Sequence, residues 1–205
     1  MKNVAIIDYD MGNIDSVVRA VEECGGNALI ASQPDDFERV NYIILPGVGS
    51  FTDGMKNIFE KRLDKTLYEQ VIKKGVPFLG ICLGMQLLAD KGWEGGETQG
   101  LGWIRGEVKR LKPFDPKERI PHIGWDDVVI KNPSILFKDF HAIKDFYFVH
   151  SFHLICTNQE DILATTPYCS NFISAIGRNN IFGVQFHPEK SQKAGFQLLR
   201  NFLSI

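Results

Sequence analysis

The first half of the chain alternates between short apolar runs and stretches with helical spacing, and this alternation limits the fold more than any other feature. The apolar runs predict β-strands at residues 4–7, 28–31, 42–45 and 77–81. Helical spacing predicts a helix over Ile14–Glu23, which Gly25 ends, and another over residues 56–74 with a break near Leu63. Strands separated by helices need crossover connections, so we expect an α/β fold with a mixed, largely parallel central sheet and flanking helices.

The second half of the chain has a different pattern, of short strands joined by tight turns. These strands are predicted at residues 107–111, 128–130, 146–149, 162–166, 172–176 and 181–185. A helix over residues 192–203 follows them. Because no linker, low-complexity run or internal repeat divides the sequence, we expect a single domain over residues 1–205.

Cys82 lies where the fourth apolar run gives way to helical spacing at Leu83. Gly80 and Gly84 flank it in the pattern G-x-C-x-G, the thiol counterpart of the nucleophile elbow, in which a strand turns sharply into a helix. The unpaired N–H groups of a first helical turn favour a thiolate. The sequence therefore predicts a reactive thiol at Cys82, and the alternative is that this residue is a packed, inert small hydrophobe.

A second polar group, His187-Pro188-Glu189, follows the apolar run at residues 181–185. Pro188 restricts His187 to extended backbone, in which residues two apart point the same way. A thiol nucleophile needs a base, and the base needs a group that fixes its orientation. We therefore predict a catalytic triad of Cys82, His187 and Glu189, although a single histidine after a strand would mean little.

Composition argues against several functional classes. The net charge of −2 gives no basic surface for nucleic acid. No apolar segment reaches the ~20 residues of a membrane span, and the N-terminus lacks the long apolar region of a signal peptide, so we expect a cytoplasmic protein. The four cysteines lack C-x-x-C spacing, which indicates neither a zinc site nor a disulfide framework. We expect no metal and no organic cofactor.

The sequence resembles the class I (triad-type) glutamine amidotransferases and, within them, the glutaminase subunits of imidazole glycerol phosphate synthase. The motifs that carry the resemblance span the chain, and they are Asp8-Tyr9 with Gly12-Asn13, Leu45-Pro46-Gly47-Val48-Gly49, Gly80-Ile81-Cys82-Leu83-Gly84-Met85-Gln86, Pro121-His122-Ile123-Gly124-Trp125, Phe148-Val149-His150-Ser151 and His187-Pro188-Glu189-Lys190-Ser191. The resemblance implies a flavodoxin-like architecture. It also implies hydrolysis of L-glutamine and delivery of ammonia to a (β/α)8 cyclase, as a heterodimer in histidine biosynthesis.

The same resemblance implies roles for other residues. The oxyanion hole would use the backbone N–H groups of Val48 and Leu83, and the glycines beside Val48 would let its N–H rotate in or out. The substrate-binding residues would be Gly47, Gly49, Gln86, Glu94, His150 and Ser151. The partner interface would include Asn13, Trp125 and Lys190.

Three places depart from the family's pattern on the substrate or partner side. Asp10 stands where glycine is usual, Asp126 where asparagine is usual, and Phe152-His153 where tyrosine is expected. One alternative is therefore a paralogous subunit that supplies ammonia for amidination of surface-polysaccharide sugars. The motifs are also compatible with a stand-alone Cys-His-Glu hydrolase similar to γ-glutamyl hydrolases and with an inactive scaffold subunit. A redox protein is disfavoured because no resolving cysteine lies near Cys82 in the sequence.

Overall fold

The computed structural model describes residues 2–140 and 143–205. The strands are β1 (Lys2–Ile7), β2 (Gly26–Ala31), β3 (Tyr42–Leu45), β4 (Phe78–Ile81), β5 (Ala89–Gly92), β6 (Thr98–Gln99), β7 (Ile104–Arg110), β8 (His122–Ile130), β9 (Ile143–His150), β10 (Phe152–Cys156), β11 (Ile162–Thr166), β12 (Phe172–Arg178) and β13 (Ile181–Val184). The α-helices are α1 (Ile14–Glu23), α2 (Phe51–Glu60), α3 (Leu63–Leu67), α4 (Leu83–Gln86) and α5 (Gln192–Phe202). A π-helical segment, Tyr68–Lys73, continues α3.

The main sheet is mixed, which confirms the predicted fold class. In the described part of the chain it has nine strands in the order β2-β1-β3-β4-β13-β12-β11-β8-β9. The strands from β2 to β13 pair in parallel, and those from β13 to β9 pair antiparallel. A second sheet has the order β10-β7-β5-β6. Crossover helices thus accompany the first half of the chain, whereas the second half is built from antiparallel strands.

Two apolar cores cover opposite faces of the parallel strands. Along β1, Val4 and Ile6 belong to the core that α1 and α5 complete, and Ala5 and Ile7 belong to the core that α2 and α3 complete. All four side chains are fully buried. Burial on both faces explains why β1 is a continuous apolar run rather than an alternating one.

The carboxyl ends of the parallel strands bring distant parts of the chain to one edge of the sheet. Ile81 of β4 lies opposite Val184 of β13, and the Cys82 N–H donates to the Val184 carbonyl at 2.7 Å. Leu45, at the end of β3, lies one strand away on the other side of β4. The loops after these strands therefore meet where ligands bind in open parallel sheets.

Two helix predictions differ from the structure. The helix predicted over residues 56–74 begins earlier, at Phe51, because the Ser50 side chain accepts the N–H of Asp53 as an N-cap. It ends at Glu60, and Arg62 takes a left-handed φ of 58° before α3 begins. The helical spacing after Cys82 predicts a longer helix than the single turn of α4, which is followed by β5.

The second sheet was not predicted from the sequence. Its edge strand β10 pairs antiparallel with β7, and β5 pairs in parallel with β7. The sequence of β5, ADKG, has neither alternating polarity nor β-branched residues, so only its pairing with β7 and β6 makes it a strand. Among the described residues, no helix combines the length and the hydropathy that a membrane span requires.

Candidate active site

The turn at Cys82 requires small residues around it. Cys82 has φ 54° and ψ −108°, the strained backbone expected of a nucleophile elbow, and it joins β4 to α4. A Cβ on Gly84 would lie 1.8 Å from the Leu45 carbonyl oxygen, so α4 approaches β3 more closely than any side chain would allow. The elbow predicted from G-x-C-x-G is therefore present, with Cys82 5% exposed.

His187 and Glu189 form a buried pair just beyond β13. The Nδ1 atom of His187 lies 2.7 Å from Oε1 of Glu189, and each side chain is 3% exposed. His187 has extended backbone, as Pro188 requires, but a 3-10 turn at Pro188–Lys190 brings the carboxylate onto the ring. The extended geometry predicted for the whole His-Pro-Glu segment was therefore wrong, and the pairing of the two side chains arises from the turn.

The carboxylate accepts the Nδ1 proton of His187 and leaves Nε2 directed away from Glu189. This Nε2 is buried and has no hydrogen-bond partner within residues 2–140 and 143–205. Burial lowers the pKa of His187, but the charge and hydrogen bonding of Cys82, followed by those of Glu189, raise the pKa to about 10. Cys82 thus acts on the ring at close range, although Nε2 has no partner among the described atoms that meets hydrogen-bond geometry, as in many sites without substrate. This arrangement favours the imidazolium form of His187, protonated on both ring nitrogens.

A cavity of about 390 Å³ opens beside Cys82. Its lining residues come from four segments of the chain, and they are Val48, Gly49, Ser50, Cys82, Leu83, Gln86, Glu94, Val149, His150, Ser151 and Phe152. The lining includes all the predicted substrate-binding residues except Gly47, which lies behind the wall with its carbonyl facing the Leu83 N–H. Its size is in the range typical of small-molecule sites.

Fixed polar groups form one wall of this cavity. Nε2 of Gln86 donates to the Phe152 carbonyl at 2.9 Å and to Oε1 of Gln185 at 3.1 Å. Nδ1 of His150 also lies 2.9 Å from the Phe152 carbonyl. On another wall, Oε2 of Glu94 accepts the N–H of Phe51 at 2.8 Å, at the first residue of α2. These contacts hold the side chains in place before any ligand binds.

The two predicted oxyanion donors are engaged elsewhere in this structure. The Val48 N–H donates to the Met11 carbonyl at 2.6 Å, and the Leu83 N–H donates to the Gly47 carbonyl at 3.3 Å. For the Val48 N–H to face Cys82, the peptide between Gly47 and Val48 must rotate. Gly49 already has a φ of +113°, which a residue with a side chain rarely adopts.

Two of the three predicted partner residues lie on one exposed face. Trp125 is 47% exposed, and its ring lies 6.1 Å from that of Tyr147, over which Nζ of Lys190 lies at 5.9 Å. Ile123, 60% exposed, adds apolar surface on the same strand. Asn13 is exposed at the start of α1, a helix that contacts the Pro188–Lys190 turn.

Sequence reasoning gave no role to two buried polar residues that the structure brings to the site. Nε2 of Gln185 lies 3.5 Å from the Cys82 sulfur, and His122 contacts His150 behind the cavity wall. Gln185 could have been noticed, because a glutamine in an otherwise apolar run needs a buried partner. His122 belongs to a motif that carried the resemblance, but nothing in the sequence indicates its contact.

Comparisons with known proteins agree with this geometry. The family model described as glutamine amidotransferase class-I matches residues 5–205. "Imidazole glycerol phosphate synthase subunit HisH 1" of Campylobacter jejuni subsp. jejuni serotype O:23/36 is 44% identical over 202 residues, 98% of this chain and 100% of the relative. "Imidazole glycerol phosphate synthase subunit HisH" of Moorella thermoacetica is 45% identical over 202 residues, 98% and 94% of the two chains.

Solved structures give the same fold at much lower identity. The structure of PurLQS from Thermotoga maritima superposes with a TM-score of 0.78 at 17% identity, over 99% of this chain and 98% of the other. The glutaminase domain of CTPS from Trypanosoma brucei, solved with bound acivicin, gives a TM-score of 0.67 at 17% identity, over 100% and 92% of the two chains. These similarities concern the fold, whereas the family model and the relatives above 40% identity identify the group: the chain belongs to the class I glutamine amidotransferase family.

Proposed function

We propose that this chain is a glutaminase subunit that hydrolyses L-glutamine to glutamate and delivers the ammonia to a (β/α)8 cyclase, as imidazole glycerol phosphate synthase in histidine biosynthesis. The observation that carries the proposal is the convergence of Cys82, His187 and Glu189 beside a cavity of about 390 Å³ with fixed polar walls. The relatives named as subunits of that synthase support the choice of partner.

In the proposed first half-reaction, the Cys82 thiolate attacks the side-chain amide carbon of glutamine. A carbon–sulfur bond forms, and the carbonyl electron pair moves to oxygen. His187, protonated on both ring nitrogens, gives its Nε2 proton to the amide nitrogen, the carbon–nitrogen bond breaks, and ammonia leaves. The proton on Nδ1 of His187 stays in place throughout, because Oε1 of the buried Glu189 carboxylate accepts it at 2.7 Å.

In the second half-reaction, water attacks the thioester. His187, now neutral, takes the proton of the water at Nε2, and the carbon–sulfur bond breaks to release glutamate and the Cys82 thiolate. Both tetrahedral intermediates need donors for the oxyanion, for which we assign the backbone N–H groups of Val48 and Leu83. Because the Val48 N–H donates to Met11 at 2.6 Å, we expect the isolated chain to be almost inactive until the partner stabilises the rotated loop.

The cavity residues would hold the amino-acid end of the substrate. We assign this role to Gln86, Glu94, His150 and Ser151, with Gly47 and Gly49 shaping the loop above them. Trp125, Lys190 and Asn13 are assigned to the interface of a heterodimer with the cyclase, and the complex is proposed to be cytoplasmic.

The test is Cys82→Ala in the complex with the native partner. Glutamine-dependent synthesis should disappear, while synthesis from added ammonia should continue because the cyclase site is unchanged. The wild-type complex, assayed with both nitrogen sources, is the control. If glutamine-dependent synthesis survived the substitution, the role given to Cys82 would be wrong.

A second candidate function remains, in which the partner amidinates a surface-polysaccharide sugar. It is favoured by the departures from the family's pattern at Asp10, Asp126 and Phe152-His153, which lie on the substrate or partner side. The acceptor substrate that raises ammonia release from glutamine in the purified complex distinguishes the two functions.

A further inference from the structure

A continuous series of side-chain contacts runs from the exposed strand β8 to the nucleophile. It begins at Asp126, whose Oδ2 lies 3.1 Å from Nε2 of His122, and Nδ1 of His122 lies 3.1 Å from Nε2 of His150. His150 and Gln86 then share the Phe152 carbonyl, each at 2.9 Å. Gln86 contacts Gln185, which lies 3.5 Å from the Cys82 sulfur.

The direction of each hydrogen bond follows from the groups involved. A carbonyl oxygen only accepts, so Nδ1 of His150 carries a proton and donates to Phe152. Burial lowers the pKa of His150 to about 3, so this ring is neutral and its Nε2 is an acceptor. Nδ1 of His122 must therefore donate to His150.

The other side of His122 faces a carboxylate, which also only accepts when ionised. Nε2 of His122 must then carry a proton as well, and the ring is an imidazolium. If the His122 ring carried only one proton, one of its two 3.1 Å contacts, with His150 or with Asp126, would place two lone pairs against each other. The proton belongs to His122 rather than to Asp126, because imidazole is the stronger base by about 2.5 pKa units.

We propose that His122, held by Asp126, is a positioning residue that orients His150 and the Phe152 carbonyl in the glutamine pocket, and that it does so as a cation. The proposal rests on the proposed function for the identity of the ligand in the pocket. The directions of the hydrogen bonds around His122 and His150 do not depend on which ligand the pocket binds.

The surroundings of His122 act on its charge in both directions. Burial is the largest influence and leaves the pKa of His122 below the usual value for histidine, because the hydrogen bond and charge of Asp126 and the charge of Glu118 offset it only in part. Backbone N–H groups of Asp115, Phe114 and Cys169 lower the pKa of Glu118, which keeps it anionic. The assignment of a cation rests instead on the hydrogen-bond geometry, in which each N–H of the imidazolium has an acceptor. The titratable groups that face the two rings are Asp126 on β8, Glu118 before β8, Tyr168 after β11, His153 on β10 and His187 after β13.

Asp126→Asn is an informative variant. The amide can donate its own N–H to Nε2 of a neutral His122, so the contacts persist without the additional proton. The variant thus removes one negative and one positive charge, and the net charge at pH 7 should stay within about a quarter of a unit of wild type. The matched control is Asp35→Asn, an exposed carboxylate without an ion pair among the described residues, which should shift the net charge by a full unit.

The first experiment measures the net charge of the isolated chains by capillary electrophoresis, and ¹⁵N NMR counts the protons on the His122 ring. We expect two ring protons in wild type and one in Asp126→Asn. A full-unit charge shift in Asp126→Asn, or a single ring proton in wild type, would overturn the cationic state. Neither measurement depends on glutaminase activity, so failure here is distinct from failure of the proposed function.

The second experiment measures steady-state kinetics of the complex with its partner. His122→Phe keeps the ring stacked on Tyr168, at 4.1 Å between centroids, but loses the hydrogen bond to His150. We expect KM for glutamine to rise ~10-fold with kcat within about threefold of wild type, since one hydrogen bond contributes ~1 to 1.5 kcal/mol. In wild type, KM should rise as pH rises through the titration of His122, and Asp126→Asn should abolish that dependence. An unchanged KM in His122→Phe would refute the positioning role.

Discussion

Replacing Glu189 by glutamine tests how much the buried carboxylate contributes to the chemistry of His187. The amide oxygen of Gln can still accept the Nδ1 proton of His187, so the orientation of the ring should persist. The amide nitrogen would take the place of Oε2, an atom that has no hydrogen-bond partner in the part of the chain described. Glu189→Gln therefore removes a charge with little change in shape.

The size of the effect follows from the geometry. The Nδ1–Oε1 distance is 2.7 Å and each side chain is 3% exposed, so water screens the pair poorly. With charge centres ~4 Å apart and an effective dielectric constant of ~20, the attraction is ~4 kcal/mol, or ~3 pKa units. The pKa of His187 is raised to about 10 by Cys82 first and by Glu189 second, so ~3 units is the upper limit of the carboxylate's share. If most of this energy stabilises the transition state, kcat should fall ~10²- to 10³-fold.

The assay is ammonia release from glutamine by the complex as a function of pH. His187 must be protonated to release ammonia, so activity is present below the pKa of His187 and is lost as pH rises through it. We expect the basic limb of the wild-type profile near pH 10 and that of Glu189→Gln at lower pH, by up to ~3 units. Glu60→Gln, at a side chain 64% exposed on α2, is the control and should match wild type. An activity within tenfold of wild type and an unmoved basic limb would refute the reasoning.

Two further substitutions test the oxyanion loop and the elbow. Val48→Pro deletes the proposed oxyanion N–H, so glutamine turnover should fall ~10²- to 10³-fold. Alkylation of Cys82 by a haloketone should change little, because displacement at a saturated carbon builds no oxyanion. An equal loss of rate in both assays would indicate a distorted site instead. Gly84→Ala places a Cβ 1.8 Å from the Leu45 carbonyl oxygen, so overpacking of about 3 kcal/mol should lower Tm by ~6 to 12 °C. In Gly95→Ala the Cβ would meet no described atom within 4 Å and φ is +76°, so the loss should be only ~1 kcal/mol. Similar Tm values for the two variants would contradict the close packing, and a single unfolding transition would support our proposal of one domain over residues 1–205.

The sequence predicted those parts of the fold that local patterns encode. Helix α1 was predicted with its observed bounds, because its apolar face and terminal glycine are local signals. The pairing of Cys82 with His187 was predicted from chemistry, because a thiol nucleophile needs a base, and not from the strand order. Strand β10 was missed because a five-residue segment, FHLIC, becomes a strand only through pairing with β7.

The orientation of the Val48 N–H could not be predicted for a different reason. The resemblance assigned it to the oxyanion hole, but it donates to Met11 in this structure. A sequence motif names the residues of a loop and does not specify the orientation of each peptide group. Contacts between side chains from distant strands, such as that of His122 with His150, likewise depend on the register of β8 against β9.

The pairing of β4 with β13 sets the distance between the Cys82 sulfur and the His187 ring, because the two residues follow the paired ends of these strands. Because Ile81 is locked opposite Val184, inserting or deleting one residue in either strand would move one partner by ~3.3 Å and turn its side chain to the opposite face. Lengthening the turn between Arg178 and Asn180, which joins β12 to β13, would leave this spacing untouched as long as Asn180 keeps its hydrogen bonds to the carbonyls of Val71 and Val76 and to the N–H of Phe78. An engineer who wants to graft a peptide tag or open new termini should therefore cut at that turn and leave both strand lengths unaltered.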